Sequence, residues 1–324
     1  MLENIVFVII GLLGLFFGGN WLVTGAARLA RSFGISTLIV GLTVIAFGTS
    51  SPELLVSLSA ALSDSSDIAL GNVIGSNISN IGLILGMTAL VFPVAVRATL
   101  IRREIPLMIL ATILASALTL IGREIGRVDG IIMLIALVGF NFYMYRLTVA
   151  QRDDEEFQKQ AAEYDETAHE PIIAPQGRLR EVFRLILGLA VLIVGAQLTV
   201  DNAVAIAREL NISELAIGVT LIAVGTSLPE LATSLVASLR KQNDIAIGNI
   251  VGSNIFNLLL ILGATSVVNP IPVTDRIIEF ELLAMLAFTF VLVPITITER
   301  KISRLEAVFM LVAYVAFTVI AVVG

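Results

Sequence analysis

Two glutamates in this sequence stand where a charge is expensive. Glu53 lies in Gly41-Leu-Thr-Val-Ile-Ala-Phe-Gly-Thr-Ser-Ser-Pro-Glu-Leu54, and Glu230 in Gly218-Val-Thr-Leu-Ile-Ala-Val-Gly-Thr-Ser-Leu-Pro-Glu-Leu231. Each is set in an apolar run, after Gly-Thr-Ser and beside a proline. A charge at the centre of a bilayer costs about 2.5–3.5 kcal/mol on insertion scales, so the same glutamate in both runs points to function. On a helix, Ala46, Thr49, Ser50, Glu53 and Ser57 follow the i, i+3, i+4 spacing and share one face, as do Ala223, Thr226, Ser227, Glu230 and Ser234. Proline lacks an N–H and crowds the carbonyl four residues back, so Pro52 and Pro229 should free the carbonyls of Gly48 and Gly225. Downstream, Asn72, Ser76 and Asn80 recur as Asn249, Ser253 and Asn257, again one face each.

Together these groups are carboxylates, hydroxyls, amides and carbonyls, with no nitrogen or sulfur ligand among them. Calcium takes about six to eight oxygens in flexible geometry, and two carboxylates balance its charge. Sodium ions or protons could neutralise the same pair. Competition for one pair of carboxylates gives a direct route to exchange, because a site that moves when neutralised stays put when bare. A cation channel would also line its path with oxygens. An intramembrane hydrolase fits poorly: the only histidine, His169, lies in a hydrophilic segment, and Lys159, Lys241 and Lys301 fall outside the apolar runs, which leaves Ser50 and Ser227 without a base.

The elements that must position these groups form an internal repeat. Sliding the chain by 177 residues aligns Ile35–Asn80 with Ile212–Asn257 without a gap, with 27 identities in 46 positions. Composition is 57% hydrophobic and 14% charged, with mean hydropathy +0.97, which describes a polytopic membrane protein. Continuous apolar runs near 4–26, 35–62, 67–92, 104–122, 128–148, 181–201, 212–239, 244–267, 277–297 and 303–323 predict ten transmembrane helices. The first is read as a retained helix, since no basic region or cleavage site precedes it. The small pairs Gly71/Gly75 and Gly248/Gly252 would let another helix approach closely. Glu104 and Glu281, and Asp67 and Asp244, are expected at helix starts, where the dipole or a cap favours an acid. Trp21 is expected to anchor the end of the first helix at the interface.

Residues 151–180 hold eight acids against four bases and read as a solvated linker rather than a weak calcium site. Starting from an outside N-terminus, the inside segments collect 16 of the 20 Lys and Arg residues. Both termini are therefore expected outside and the linker in the cytoplasm. An offset of five helices makes the two copies face opposite ways, so the fold class is all-α with two inverted five-helix repeats, 1–150 and 181–324, joined by 151–180. The homologous turns agree, reading Ser63-Asp-Ser-Ser-Asp67 in one copy and Arg240-Lys-Gln-Asn-Asp244 in the other. Inverted repeats are an architecture of secondary transporters, with the site near the midplane.

Gly-Thr-Ser-x-Pro-Glu followed by Gly-Asn-x-x-Gly-Ser-Asn, twice, resembles the calcium/cation antiporter superfamily, and most of all the compact prokaryotic sodium/calcium exchangers. The resemblance implies a central calcium site on Glu53 and Glu230 with backbone oxygens of Thr49 and Thr226. It also implies flanking sodium sites on Ser50, Ser76 and the Ala46 carbonyl, with Ser227, Ser253 and the Ala223 carbonyl as their mates, and Asn80 beside them. Asn257 stands where some relatives, including the potassium-dependent branch, carry Asp, which argues against potassium cotransport. The expected activity is calcium export driven by inward sodium, with a calcium/proton exchanger as the alternative. Calcium, sodium or protons are the transported ions and the lipid bilayer is the surrounding partner. No cofactor, enzymatic activity or nucleic-acid partner is expected, and the sequence assigns no oligomeric state.

Overall fold

A computed structural model describes residues 1–63, 65–152, 177–210 and 223–323, and they are overwhelmingly helical. In a bilayer the backbone must satisfy itself, and long apolar helices do so within one segment. The helices are α1 (Leu2–Ser32), α2 (Thr37–Thr49), α3 (Ser51–Leu62), α4 (Asp67–Val91), α5 (Leu100–Gly122), α6 (Arg127–Ala150), α7 (Arg178–Glu209), α8 (Leu228–Leu239), α9 (Asn243–Val268), α10 (Ile277–Ile297) and α11 (Arg304–Ala321). Among the described residues eight are long and apolar enough to cross a membrane, and α2 with α3, bent by 43° at their junction, counts as a ninth if the bent pair is one span. The expected segment 212–239 is described only from residue 223, and α8 within it has 12 residues. The acids of the linker and His169 lie outside the described residues.

Several sequence expectations shift at helix ends. α1 has 31 residues rather than stopping near 26, so Trp21 sits well inside it and not at its end. At 1.5 Å per residue it is about 46 Å long, against a hydrocarbon core of about 30 Å, and tilt or protrusion takes up the excess. Asp67 and Asp244 lie in the first turn but do not cap it; the N-cap positions are Ser65 and Gln242. Asp244 is instead held by Arg97 Nη2 at 2.7 Å. Glu104 and Glu281 do not start their helices either. Each closes a π-helical turn, Leu100–Glu104 or Ile277–Glu281, and Glu104 is fully buried with Arg103 Nη2 at 3.0 Å.

Two helices form the centre. The most apolar window of α9 is 94% buried and that of α4 78%, against 11% for α11 and 22% for α7, so α4 and α9 are the pair that outer helices cover. Glycines set the distances. A Cβ at Gly252 would meet the Leu42 carbonyl at 2.5 Å and one at Gly248 the Leu38 carbonyl at 2.9 Å, so α2 lies directly on the α9 backbone. The expectation of close approach holds there; around Gly71 and Gly75 no described atom comes within 4 Å of an added Cβ. α1 and α7 pack in the same manner, with Gly18 against the Gly188 carbonyl at 2.8 Å and Gly195 against the Gly11 carbonyl at 2.8 Å.

Four two-residue strands tie the loops together. β1 (Val94–Ala95), between α4 and α5, pairs antiparallel with β4 (Lys301–Ile302), between α10 and α11. β2 (Glu124–Ile125), between α5 and α6, pairs antiparallel with β3 (Ile271–Pro272), between α9 and α10. Advancing β1 and β2 by the repeat offset of 177 gives β3 and β4, and the pairs Val94↔Ile302 and Ala95↔Lys301 then correspond to Ile125↔Ile271 and Glu124↔Pro272.

Candidate cation site between the two broken helices

Pro52 and Pro229 occupy the first turns of α3 and α8, where a missing N–H costs nothing because the helix has no carbonyl to offer it. The residue before each helix leaves helical geometry in the same way, Ser50 with φ −81° and ψ 5°, Ser227 with φ −89° and ψ 6°. This places Glu53 and Glu230 in the first turn, at the positive end of the helix dipole, where a carboxylate is stabilised. Both are buried, at 1% exposure, and among the described residues neither is ion-paired.

The two breaks face each other. Ser50 Oγ donates to Glu230 Oε1 at 3.1 Å, and Ser227 Oγ donates to Glu53 Oε1 at 3.4 Å. The serine of each copy thus serves the carboxylate of the other. Two asparagines hold the glutamate helices from behind. Asn72 Nδ2 donates to the Glu53 carbonyl at 3.1 Å and to Ser57 Oγ at 2.8 Å; Asn249 Nδ2 donates to the Glu230 carbonyl at 3.5 Å and to Ser234 Oγ at 3.2 Å. Asn249 Oδ1 also accepts from Thr49 Oγ1 at 3.1 Å. Through their Nδ2 groups these amides hold the glutamate helices in position.

A second polar layer joins α4 to α9, where Asn80 Nδ2 donates to Asn254 Oδ1 at 3.1 Å. Both Asn80 and Asn257 open π-helical turns, Asn80–Leu85 and Asn257–Leu262, a geometry common at functional sites. Asn254 belongs to the Gly-Ser-Asn motif but lies off the 249, 253, 257 stripe, so helical periodicity alone does not single it out. Its presence in both copies, as Asn77 and Asn254, was the available signal.

Six of the expected site residues carry a buried oxygen without a partner. Glu53 Oε2, Glu230 Oε2, Asn80 Oδ1, Asn257 Oδ1, Ser253 Oγ and Thr226 Oγ1 are buried and accept or donate no hydrogen bond. A buried polar atom left unpaired costs about 1–3 kcal/mol, more when charged, so such a set calls for a ligand with positive charge. All are hard oxygens, which suits calcium or sodium rather than a soft metal. Thr49, Ser50, Ser76 and Ser227 are likewise buried, and Thr226 is half-buried. The Ala46 carbonyl accepts the Ser50 N–H at 3.0 Å and the Thr49 hydroxyl at 3.4 Å. Ala223 opens the described part of the second copy, in the short helical segment Ala223–Gly225.

Comparison with known proteins agrees along nearly the whole chain. The family described as sodium/calcium exchanger protein matches residues 3–146 and 181–323. The inner membrane protein YrbG of Escherichia coli is 42% identical over 275 residues, covering 83% of this chain and 81% of that protein. The sodium/calcium exchanger MaX1 of Methanosarcina acetivorans is 30% identical over 342 residues, covering 98% of each. Among solved structures, the sodium-calcium exchanger NCX_Mj superposes with a TM-score of 0.81 at 32% identity, covering 99% of this chain and 98% of that one. A protein whose paired buried carboxylates sit between apolar spanning helices, and which matches these exchangers from end to end, belongs to the sodium/calcium exchanger family of multi-pass membrane cation antiporters.

Proposed function

We propose that this protein exchanges calcium for sodium by alternating access, with Glu53 and Glu230 as ligands for which both ions compete. The observation that carries the reading is the reciprocal pair Ser50–Glu230 and Ser227–Glu53, which leaves one oxygen of each carboxylate unpaired at a shared centre. Two uncompensated carboxylates in a dry site are unfavourable, so the site changes sides with calcium or with sodium bound and rests when bare. Thr49 and Thr226 backbone oxygens would complete the calcium shell. Ser50, Ser76, Asn80 and the Ala46 carbonyl, with Ser227, Ser253, Asn257 and the Ala223 carbonyl, would hold sodium.

The same proposal includes ten helices in two inverted repeats, 1–150 and 181–324, with 151–180 as a cytoplasmic linker and both termini outside. Strand pairing supports it. β1 and β4 lie on one side of the membrane because they pair, so an even number of spans separates them. Five of these are α5, α6, α7, α9 and α10, and the proposal takes the segment holding α8 as the sixth. The 177-residue correspondence of both strand pairs and both Ser–Glu bonds is what a twofold relation between inverted halves produces.

The test is calcium uptake into sodium-loaded proteoliposomes with pH clamped on both sides. Uptake is expected to require internal sodium and to vanish in Glu53→Gln. Uptake that ignores sodium and follows an imposed pH gradient would replace sodium by protons on the same two carboxylates. Uptake indifferent to both gradients and retained in the variant would overturn the exchange reading.

A further inference from the structure

Beside the two carboxylates, side chains from three helices form a chain of hydrogen bonds that ends at a candidate cation ligand. Asn254 Nδ2 on α9 donates to Met108 Sδ on α5 at 3.5 Å, and Asn254 Oδ1 accepts from Asn80 Nδ2 on α4 at 3.1 Å. Met108, Asn254 and Asn80 are all buried. A side-chain amide carries its donors and its acceptor on different atoms, so with Nδ2 given to Asn254 the atom Asn80 has left is Oδ1. That oxygen is buried without a partner. The thioether is a weak acceptor, so the bond that fixes the Asn254 plane is also one that breaks cheaply.

The repeat supplies the same three side chains again. Advancing by 177 takes Asn77 to Asn254, Asn80 to Asn257 and Met108 to Met285, and Asn77, Asn257 and Met285 are buried as well. The second set is not joined. Asn77 Nδ2 turns back along α4 to the Val73 carbonyl, four residues before it, at 2.8 Å, and Asn257 Oδ1 is buried without a partner. One set of side chains therefore takes two arrangements in one molecule, bridged across α5, α9 and α4 and unbridged across α10, α4 and α9. The residue types are identical, so the difference lies in the conformations of the two halves and not in their chemistry.

Halves related by inversion trade conformations when a site changes sides, so an arrangement held by one half in one state passes to the other half in the opposite state. We propose that Asn254 and Asn77 are positioning residues that act in alternation: Asn254 bridges Met108 to Asn80 while the site faces one side of the membrane, and Asn77 bridges Met285 to Asn257 while it faces the other. Each bridge aims the oxygen of one site asparagine at the cation in its own state. The trade needs an amide at both site positions, because a carboxylate at 257 would have no N–H to give Asn77. The inference rests on the exchange reading given above.

The experiment is calcium-for-calcium exchange by the full chain, which needs neither sodium nor a pH gradient. Right-side-out and inverted membrane vesicles are loaded with saturating calcium, and the initial entry of radioactive calcium is followed at varied external calcium, against vesicles lacking the protein. A neutral hydrogen bond is worth about threefold or more in an equilibrium. Asn254→Leu is therefore expected to raise the half-saturating calcium about threefold or more in one vesicle orientation and not in the other, and Asn77→Leu to do the reverse. Met108→Leu and Met285→Leu keep the volume and remove only the acceptor. They are expected to follow Asn254→Leu and Asn77→Leu respectively, and they carry the test if an asparagine variant fails to fold in a thermal melt. A purely structural role would shift both orientations alike, so equal shifts, or none in a folded variant, would overturn the inference. Shifts by both asparagines on the same side would overturn the alternation. If the wild type itself exchanges no calcium, the calcium reading falls and takes this inference with it.

Discussion

At the scale of residues, the cross-linked Ser–Glu pairs make the two halves of the site dependent on each other. Removing the hydroxyl in Ser50→Ala takes a donor from Glu230, not from the neighbouring Glu53. A hydrogen bond to a charged group contributes about 1.5–3 kcal/mol, so each of Ser50→Ala and Ser227→Ala is expected to raise the half-saturating ion concentration by about tenfold or more, read by calcium uptake at varied sodium. The positioning asparagines act differently. Asn249 is wholly buried and satisfies Thr49, Ser234 and the Glu230 carbonyl, while Asn72 is half-buried and satisfies Ser57 and the Glu53 carbonyl. Asn249→Ala is therefore expected to destabilise the fold more than Asn72→Ala, by about 1–3 kcal/mol for the groups left unpaired. Thermal unfolding in detergent measures the difference, and an equal effect of the two substitutions would show that Asn249 does not carry the extra load assigned to it.

At the scale of elements, the substitution that separates packing from chemistry is Gly252→Val. Its side chain would run into the Leu42 carbonyl and Ala46 Cβ, backbone and near-backbone atoms that cannot swing aside. It is expected to lose folded protein on size exclusion, whereas Gly139→Ala, with open space around it, should match the wild type. Much of this was legible beforehand. An interruption at Pro52 and the close approach at Gly248 and Gly252 follow from proline chemistry and small-residue spacing, although the sequence pointed to a freed carbonyl at Gly48 and not to the departure from helical geometry at Ser50. The pairing of Asn80 with Asn254 did not, because it depends on where α4 meets α9, and one helix's periodicity carries no information about its partner. Asp244 shows the same limit: its spacing suggested a cap, but its carboxylate goes to Arg97, which is distant in sequence. The π-helical turns were hidden too, since each adds a residue to a turn without any residue type that announces it.

At the scale of the whole molecule, the number of crossings decides whether the two halves are inverted, and α8 decides the number. α7 ends at Glu209 and α9 begins at Asn243. If the segment between them crosses, Leu210 and Lys241 face opposite compartments; if it only dips in and returns, they face the same one. In the proposed topology Lys241 lies inside, as the lysine and arginine distribution favours, and the pairing of β1 with β4 fits a crossing. The chain contains no cysteine, so a single introduced thiol is the only one present. Leu210 and Lys241 are both exposed, as are Glu124 and Lys301, which serve as outside and inside markers. With a membrane-impermeant maleimide on intact cells, Leu210→Cys and Glu124→Cys are expected to react at once, and Lys241→Cys and Lys301→Cys only after permeabilisation. Reaction of Leu210→Cys and Lys241→Cys from the same side would remove the tenth span, and with it the opposed orientation that lets two copies of one motif bring their glutamates to a common centre.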